Sequence, residues 1–147
     1  MRKNSLKKLL IHASLDFADE MVNAKKYIEN NFNDFDVILP ELTRYQHIRD
    51  IYGDDNTFTK IKNRLTIANM KNVEICNALL ILNYSHRNIE NYIGGNSFIE
   101  MCIAFYLDKP IYILNSIPEN MPYTEEIKSF YPKTIHTLDW FRDVGIK

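Results

Sequence analysis

"NALLILNYSHRNIENYIGGNSFIEMCIAFYLDKPIYILN", residues 77–115, is the stretch on which the fold turns. Its two ends, "NALLILN" (77–83) and "KPIYILN" (109–115), are near-continuous apolar runs bounded by turn-forming residues, the pattern of strands covered on both faces. Between them lie a polar loop with two adjacent glycines and then an apolar segment, and from Gly94 to Leu107 the only charged residue is Glu100. Strand, glycine-containing loop, helix and strand in that order form a crossover unit, the connection that parallel neighbours require.

The same alternation extends outward from this unit. Upstream, "KKLLIHAS" (7–14) reads as a strand, and "LDFADEMVNAKKYIENNF" places Phe17, Met21, Ala24 and Ile28 at helical spacing. "FDVILP" (35–40) is a second strand stopped by Pro40, and "FTKIKNRLTIANMKNVEIC" carries Phe58, Ile61, Leu65, Ala68 and Val73 along one helical stripe. Downstream, a short helix near "YTEEIKSF" precedes a weak strand, "KTIHTLDW" (133–140). Five strands alternating with helices predict one α/β domain over residues 1–147, a three-layer sandwich with a five-stranded parallel sheet. The flavodoxin-like order 2-1-3-4-5 sets the first and third strands side by side with crossovers to opposite faces, and ligands bind at that switch point. Two loops would open there: the turn after "IHAS", with Ser14 and Asp16, and "YSHRNIENYIGGN" (84–96), which brings Gly94, Gly95, Asn96 and Glu100 to the sheet's carboxyl edge.

Composition narrows the partners. The 147 residues, 46% apolar and 12% aromatic, suffice for one ordinary core. A formal charge of -1 with mixed signs along the chain argues against a nucleic-acid-coating surface, so a small-molecule partner is expected. The apolar stretch near the start breaks at His12 and Asp16, too short for a signal or membrane segment, which predicts a cytoplasmic protein. Cys76 and Cys102 lack metal-ligand spacing and read as buried thiols; neither a metal nor a cofactor is called for.

A helix beginning near Ser97 would hold Glu100 in its first turn, where free amides and the positive dipole end keep a carboxylate ionised. An ionised carboxylate beside a glycine-rich crevice can attack an electrophilic sugar carbon, as one of the two carboxylates does in retaining glycosidases. "SFIE" is equally a capping box, Ser97 accepting from the helix and Glu100 bonding back to the Ser97 amide. Both readings stand on the residues alone.

The segment resembles the nucleoside 2-deoxyribosyltransferase family and its relatives, the 2'-deoxynucleoside 5'-phosphate N-hydrolases. The matching pieces are "NALLILN", "IGGNSFIE", Ala104 and "DKPIYIL", which stand where those proteins have a strand, a glycine loop, a nucleophilic glutamate, a small residue and a "KP" before the next strand. The resemblance implies a flavodoxin-like fold and cleavage of the N-glycosidic bond of a nucleoside or nucleotide, with Glu100 as nucleophile. It also implies a homo-oligomer whose sites are completed by a neighbouring chain. Asn77 and Asn83 replace aspartates common in the family, and asparagine cannot donate a proton as an acid. Asn96 stands where relatives commonly have glycine.

Other residues follow as candidates. His86 could protonate the leaving base in place of the missing aspartate. Asn83 would contact the nucleobase, and Ser14, Asp16, Gly94, Gly95, Asn96 and Ser97 would line the substrate, with Ser116 contributing across a subunit boundary. Small hydroxyl residues at a helix N-terminus suit a phosphate, and Arg44, Arg49, Arg64 and Arg87 are possible clamps for it. Asp54 and Asp55 could form a flap or an ordinary turn, and His12, inside the first strand, reads as a satisfied core histidine. The "GG…E" pattern also looks like the phosphoribohydrolases that release cytokinin bases, one residue short in spacing. A noncatalytic nucleotide-sensing module is the third reading.

Overall fold

The first strand, β1 (Lys7–His12), is exposed for its first two residues and buried for the last four, because it runs from the edge of the molecule into its centre. In this computed structural model, which describes residues 5–41, 55–144 and 146, it pairs in parallel with β2 (Phe35–Ile38) on one side and β3 (Ala78–Ile81) on the other. β4 (Ile111–Ile113) and β5 (Lys133–Thr134) extend the sheet, giving the parallel order β2-β1-β3-β4-β5. This is the expected flavodoxin-like arrangement.

Side-chain alternation divides the core between the two faces of the sheet. Leu9, Ile11 and Ala13 of β1 and its end join Leu80 and Val37 on the face covered by α1 (Ala18–Asn31), where Met21, Ala24 and Ile28 are buried. Phe141 of α5 (Trp140–Val144) closes the same layer. Leu10, Leu79, Ile81 and Ile113 point the other way, against Val73 of α2 (Asp55–Ile75), Met101 and Ala104 of α3 (Gly95–Tyr106) and Ile127 of α4 (Thr124–Ser129). His12 shares the parity of Leu10 and therefore faces α3. No helix among the described residues is long and apolar enough to cross a membrane.

Several expectations shift in detail. The stripe on α2 is less buried than its spacing implies: Val73 is in the core, Phe58, Ile61 and Leu65 are half-buried, and Ala68 is exposed. The last strand keeps only Lys133 and Thr134, because His136 turns the chain with a left-handed φ of 62°. Cys76 is buried as expected, whereas Cys102 is only partly so. Arg44, Arg49 and Asp54 lie outside the described residues, as does the side chain of Asp55.

The two asparagines flanking β3 act in the scaffold. Asn77 extends the β1–β3 pairing at the sheet's amino edge, its Oδ1 accepting from the Lys8 amide at 2.8 Å. Asn83, fully buried, ties the end of β3 to the segment after β4: its Nδ2 donates to the carbonyls of Asn115 (2.9 Å) and Ser116 (3.1 Å), and its Oδ1 accepts from the Asn115 amide at 2.8 Å. An aspartate could not donate to either carbonyl while ionised. We expect Asn83→Asp to lose about 2–3 kcal/mol of stability at pH 7. Burial raises the folded pKa of such a carboxyl, so the unfolded chain sheds its proton first and the loss grows as pH rises above about 4. Urea unfolding at pH 4 and pH 7 measures this; equal midpoints for variant and wild type at pH 7 would refute the scaffold role.

Candidate functional site

At the carboxyl ends of β1 and β3 the crossovers depart to opposite faces and leave a cavity of about 390 Å³, a size that suits a nucleoside or similar small molecule. The turn after β1 contributes Ser14 and Asp16, and the start of α3 contributes Gly94, Gly95, Asn96 and Ser97. Six of the candidate contacts thus meet in one place. A Cβ placed on Gly95 would meet nothing within 4 Å, so this end of the helix is open. Its first amides have no partner within the helix and can receive an anionic or polar group.

The wall opposite comes from α2 and from the loop before α3. Phe58, Lys62 and Asn69 lie within about 40° of one another around the α2 axis at 100° per residue, and all three line the cavity. Lys62 and Asn69 were legible as polar residues interrupting an apolar helical stripe, although composition alone did not single them out. Arg87 is the one arginine of the four candidates that lines the cavity among the described residues. It sits with Asn88 at the tip of a tight turn closed by reciprocal His86 and Ile89 backbone bonds, and both tip residues have positive φ (52° and 60°). A left-handed φ costs Arg87 about 1–2 kcal/mol and Asn88 less, so tertiary contacts help to hold the loop. Phe17 and Tyr92 supply them, their rings packing edge-on against His86 at 5.5 and 5.3 Å.

His86 itself does not line the cavity; its Nε2 lies 2.8 Å from Asp16 Oδ2 at the rim, out of hydrogen-bonding alignment. Asn83 and Ser116 also stand apart from the cavity, Asn83 being committed to the β3–β4 junction and Ser116 being exposed with its carbonyl bonded to Asn83. No cluster among the described residues has the three His, Cys, Asp or Glu side chains that would hold a metal ion.

Glu100 requires two corrections. The helix starts at Gly95 with Gly94 at the cap position and no side-chain cap, so Glu100 lies in the second turn and no capping box forms. Ser97 turns instead toward β1, its Oγ 2.8 Å from His12 Nδ1, and Glu100 Oε1 lies 3.2 Å from His12 Nε2. Spacing of i, i+3 puts Ser97 and Glu100 on one helix face, and all three residues are at most 3% exposed. Nor is the carboxyl held ionised: burial raises the Glu100 pKa from 4.5 to about 9. The same burial lowers His12 from 6.5 to about 4.

Glu100 stands behind the cavity rather than in it. Its Oε2 is buried without a hydrogen-bond partner among the described residues, beside a second space of about 10 Å³, roughly the room for one water molecule. Asn69 and Asn96 line both spaces. His12 is a core histidine with both ring nitrogens engaged, as expected, yet it also reaches the cavity wall beside Ser97.

These shifts predict how stability depends on pH. Between pH 4.5 and about 9 the unfolded chain has lost the Glu100 proton that the folded chain retains, so this group makes stability fall as pH rises. His12 acts oppositely between about 4 and 6.5, where the unfolded imidazole binds a proton and the folded one does not. Above pH 6.5 only the Glu100 slope remains of the two. Glu100→Gln should therefore lack the decline that wild type shows from pH 6.5 to 9 in urea unfolding, and parallel curves for the two proteins would contradict the buried, protonated carboxyl.

Comparison with protein-family models found no match, and comparison with the curated proteins likewise found none.

Proposed function

We propose that this chain binds a nucleoside or nucleoside 5'-monophosphate in the cavity at the β1–β3 switch point and cleaves its N-glycosidic bond, with Glu100 as the nucleophile. The observation that carries the reading is the Oε2 of Glu100, without a hydrogen-bond partner among the described residues, in the second turn of a glycine-initiated helix whose N-terminus opens on a nucleoside-sized cavity. An acetal-like anomeric carbon needs a carboxylate on one side and a protonated leaving group on the other. Lys62, Arg87 and the amides of α3 supply positive potential for a 5'-phosphate. Attack requires that Glu100 give up its proton and that the substrate pass the Asn96 side chain, which borders both spaces.

A noncatalytic nucleotide-binding role is favoured by one specific observation: Glu100 does not line the large cavity. Glu100→Gln distinguishes the two, because glutamine keeps the shape and the contact with His12 but cannot form a glycosyl ester. Under the cleavage reading, the variant loses several orders of magnitude in base release from a panel of nucleosides and monophosphates while still binding them. Wild-type Glu100 then carries a glycosyl adduct, detectable by mass spectrometry, after exposure to a slow 2-fluoro sugar analogue. Binding without base release by wild type would favour the sensing role.

We further propose a cytoplasmic homo-oligomer. The two cysteines are both free thiols, which suits a reducing compartment. Phe105, Tyr106 and Leu107 are exposed at the end of α3, at 51%, 87% and 39%, and a second copy would remove them from water. Light scattering at micromolar concentration should give a multiple of the chain mass, and a strictly monomeric active protein would remove the shared-site idea.

A further inference from the structure

We propose that Ser97 and His12 form a relay that carries the proton of Glu100 to the departing base, so that one proton movement both frees the nucleophile and completes the leaving group. The inference rests on the cleavage reading above. The chain of contacts is Glu100 Oε1 to His12 Nε2 at 3.2 Å and His12 Nδ1 to Ser97 Oγ at 2.8 Å. Its outer members, Ser97 and His12, line the cavity, whereas Glu100 does not. The carboxyl is therefore linked to the large cavity through the 3.2 Å contact of its Oε1 with His12 and the hydrogen bond of His12 to Ser97, while Oε2 has no hydrogen-bond partner among the described residues.

The relay answers a chemical need left open elsewhere in the site. Asn83 cannot serve as an acid, and its amide is already spent on the Asn115 and Ser116 carbonyls. His86 lies outside the cavity with its Nε2 against Asp16. A departing base still has to receive a proton.

Proton positions follow from donor and acceptor rules. While Glu100 carries its proton, Oε1–H donates to Nε2; Nδ1 then bears the imidazole hydrogen and donates to Ser97 Oγ. The Ser97 hydroxyl hydrogen is left free to point at a ligand. In that tautomer His12 cannot take a proton from Ser97, which excludes a serine nucleophile activated by this histidine. In the glycosyl-transfer step, an Oε2 lone pair forms the bond to the anomeric carbon. The carbon–nitrogen bond breaks and its electron pair goes to the base nitrogen. The Ser97 proton moves to that nitrogen, the Nδ1 proton to Ser97, and the Oε1 proton to Nε2. The products are a glycosyl ester on Glu100, neutral His12 protonated at Nε2, an intact serine and the free base. Attack by water or an acceptor base on the ester reverses the proton movements.

Among the described residues, few ionisable groups surround the pair. Cys76, between α2 and β3, feels the Glu100 charge, and Asp16, Lys62, Arg87 and Tyr92 line the cavity from the turn after β1, from α2 and from the loop before α3. Burial is the cause of the shifts of both His12 and Glu100.

Nitrogen-15 NMR of histidine-labelled protein reads the resting tautomer directly, whether or not the protein is turning over. The relay requires His12 protonated at Nδ1 at pH 7, changing to Nε2 as Glu100 ionises near pH 9, with no change in Glu100→Gln. An Nε2-protonated His12 at pH 7 overturns it, because Nε2 would then have no lone pair to receive the Glu100 proton. The kinetic arm compares two leaving groups. Ser97→Ala should slow release of an unactivated purine or pyrimidine at least ~100-fold more than release of nitrophenolate from a nitrophenyl 2-deoxyriboside, which leaves without a proton. Glu100→Gln should slow both alike. Equal slowing of the two leaving groups by Ser97→Ala overturns the relay and leaves the cleavage reading intact. Wild type that releases neither group overturns the cleavage reading, and the relay with it.

Discussion

Parallel pairing of β1 with β3 is the constraint from which the rest of the molecule follows. Once these two strands are neighbours, with Leu9 opposite Ala78 and His12 opposite Ile81, the chain leaving β1 must cover one face and the chain leaving β3 the other. The divergence opens a crevice at the carboxyl edge that side chains from the sheet alone do not fill. It also fixes parity: Leu10 and His12 face the layer of α3, and Leu9 and Ile11 face α1. A one-residue slip of β1 would turn His12 toward α1 and break the contact with both Ser97 and Glu100.

That contact shapes the electrostatics of the site. Bringing an imidazole and a carboxyl together between β1 and α3 removes both from water, and among the described residues no cation pairs with the carboxyl. Two neutral groups in contact are the lower-cost outcome, since an ion pair must recover a desolvation penalty of several kcal/mol per ion. The helix N-terminus contributes less to Glu100 than a first-turn position would, because the field of the free amides decays within the first turn. The same amides remain directed at the cavity, where they can meet a ligand.

The polar residues divide according to the edge of the sheet on which they lie. Asn77 and Asn83 complete backbone pairing, one at each end of β3, so their amide groups are spent on the fold. Arg87 is held over the cavity by a strained turn braced by aromatic rings, a cost that loops at binding sites commonly carry. Lys62 and Asn69 reach the same space from a helix whose stripe is only partly buried.

By itself the sequence determined the architecture. Apolar runs of strand length separated by amphipathic helices admit few arrangements, and the parallel sheet was readable from "KKLLIHAS", "NALLILN" and "KPIYILN", while its order, and with it the loops that meet at its carboxyl edge, followed from taking the flavodoxin-like arrangement that the family resemblance also implies. It also marked Gly94, Gly95, Asn96 and Ser97 as cavity residues, since glycines before an apolar helix at a switch point leave little choice. The tertiary structure alone decided what Glu100 and Ser97 bond to. "SFIE" satisfies a local capping pattern, but His12, 85 residues earlier than Ser97, competes for the serine and wins because it would otherwise be a buried ring nitrogen without a partner. The protonation of Glu100 is likewise invisible in sequence: it depends on how much water the packed layers exclude and on which charges they leave nearby, and both are properties of the folded interior.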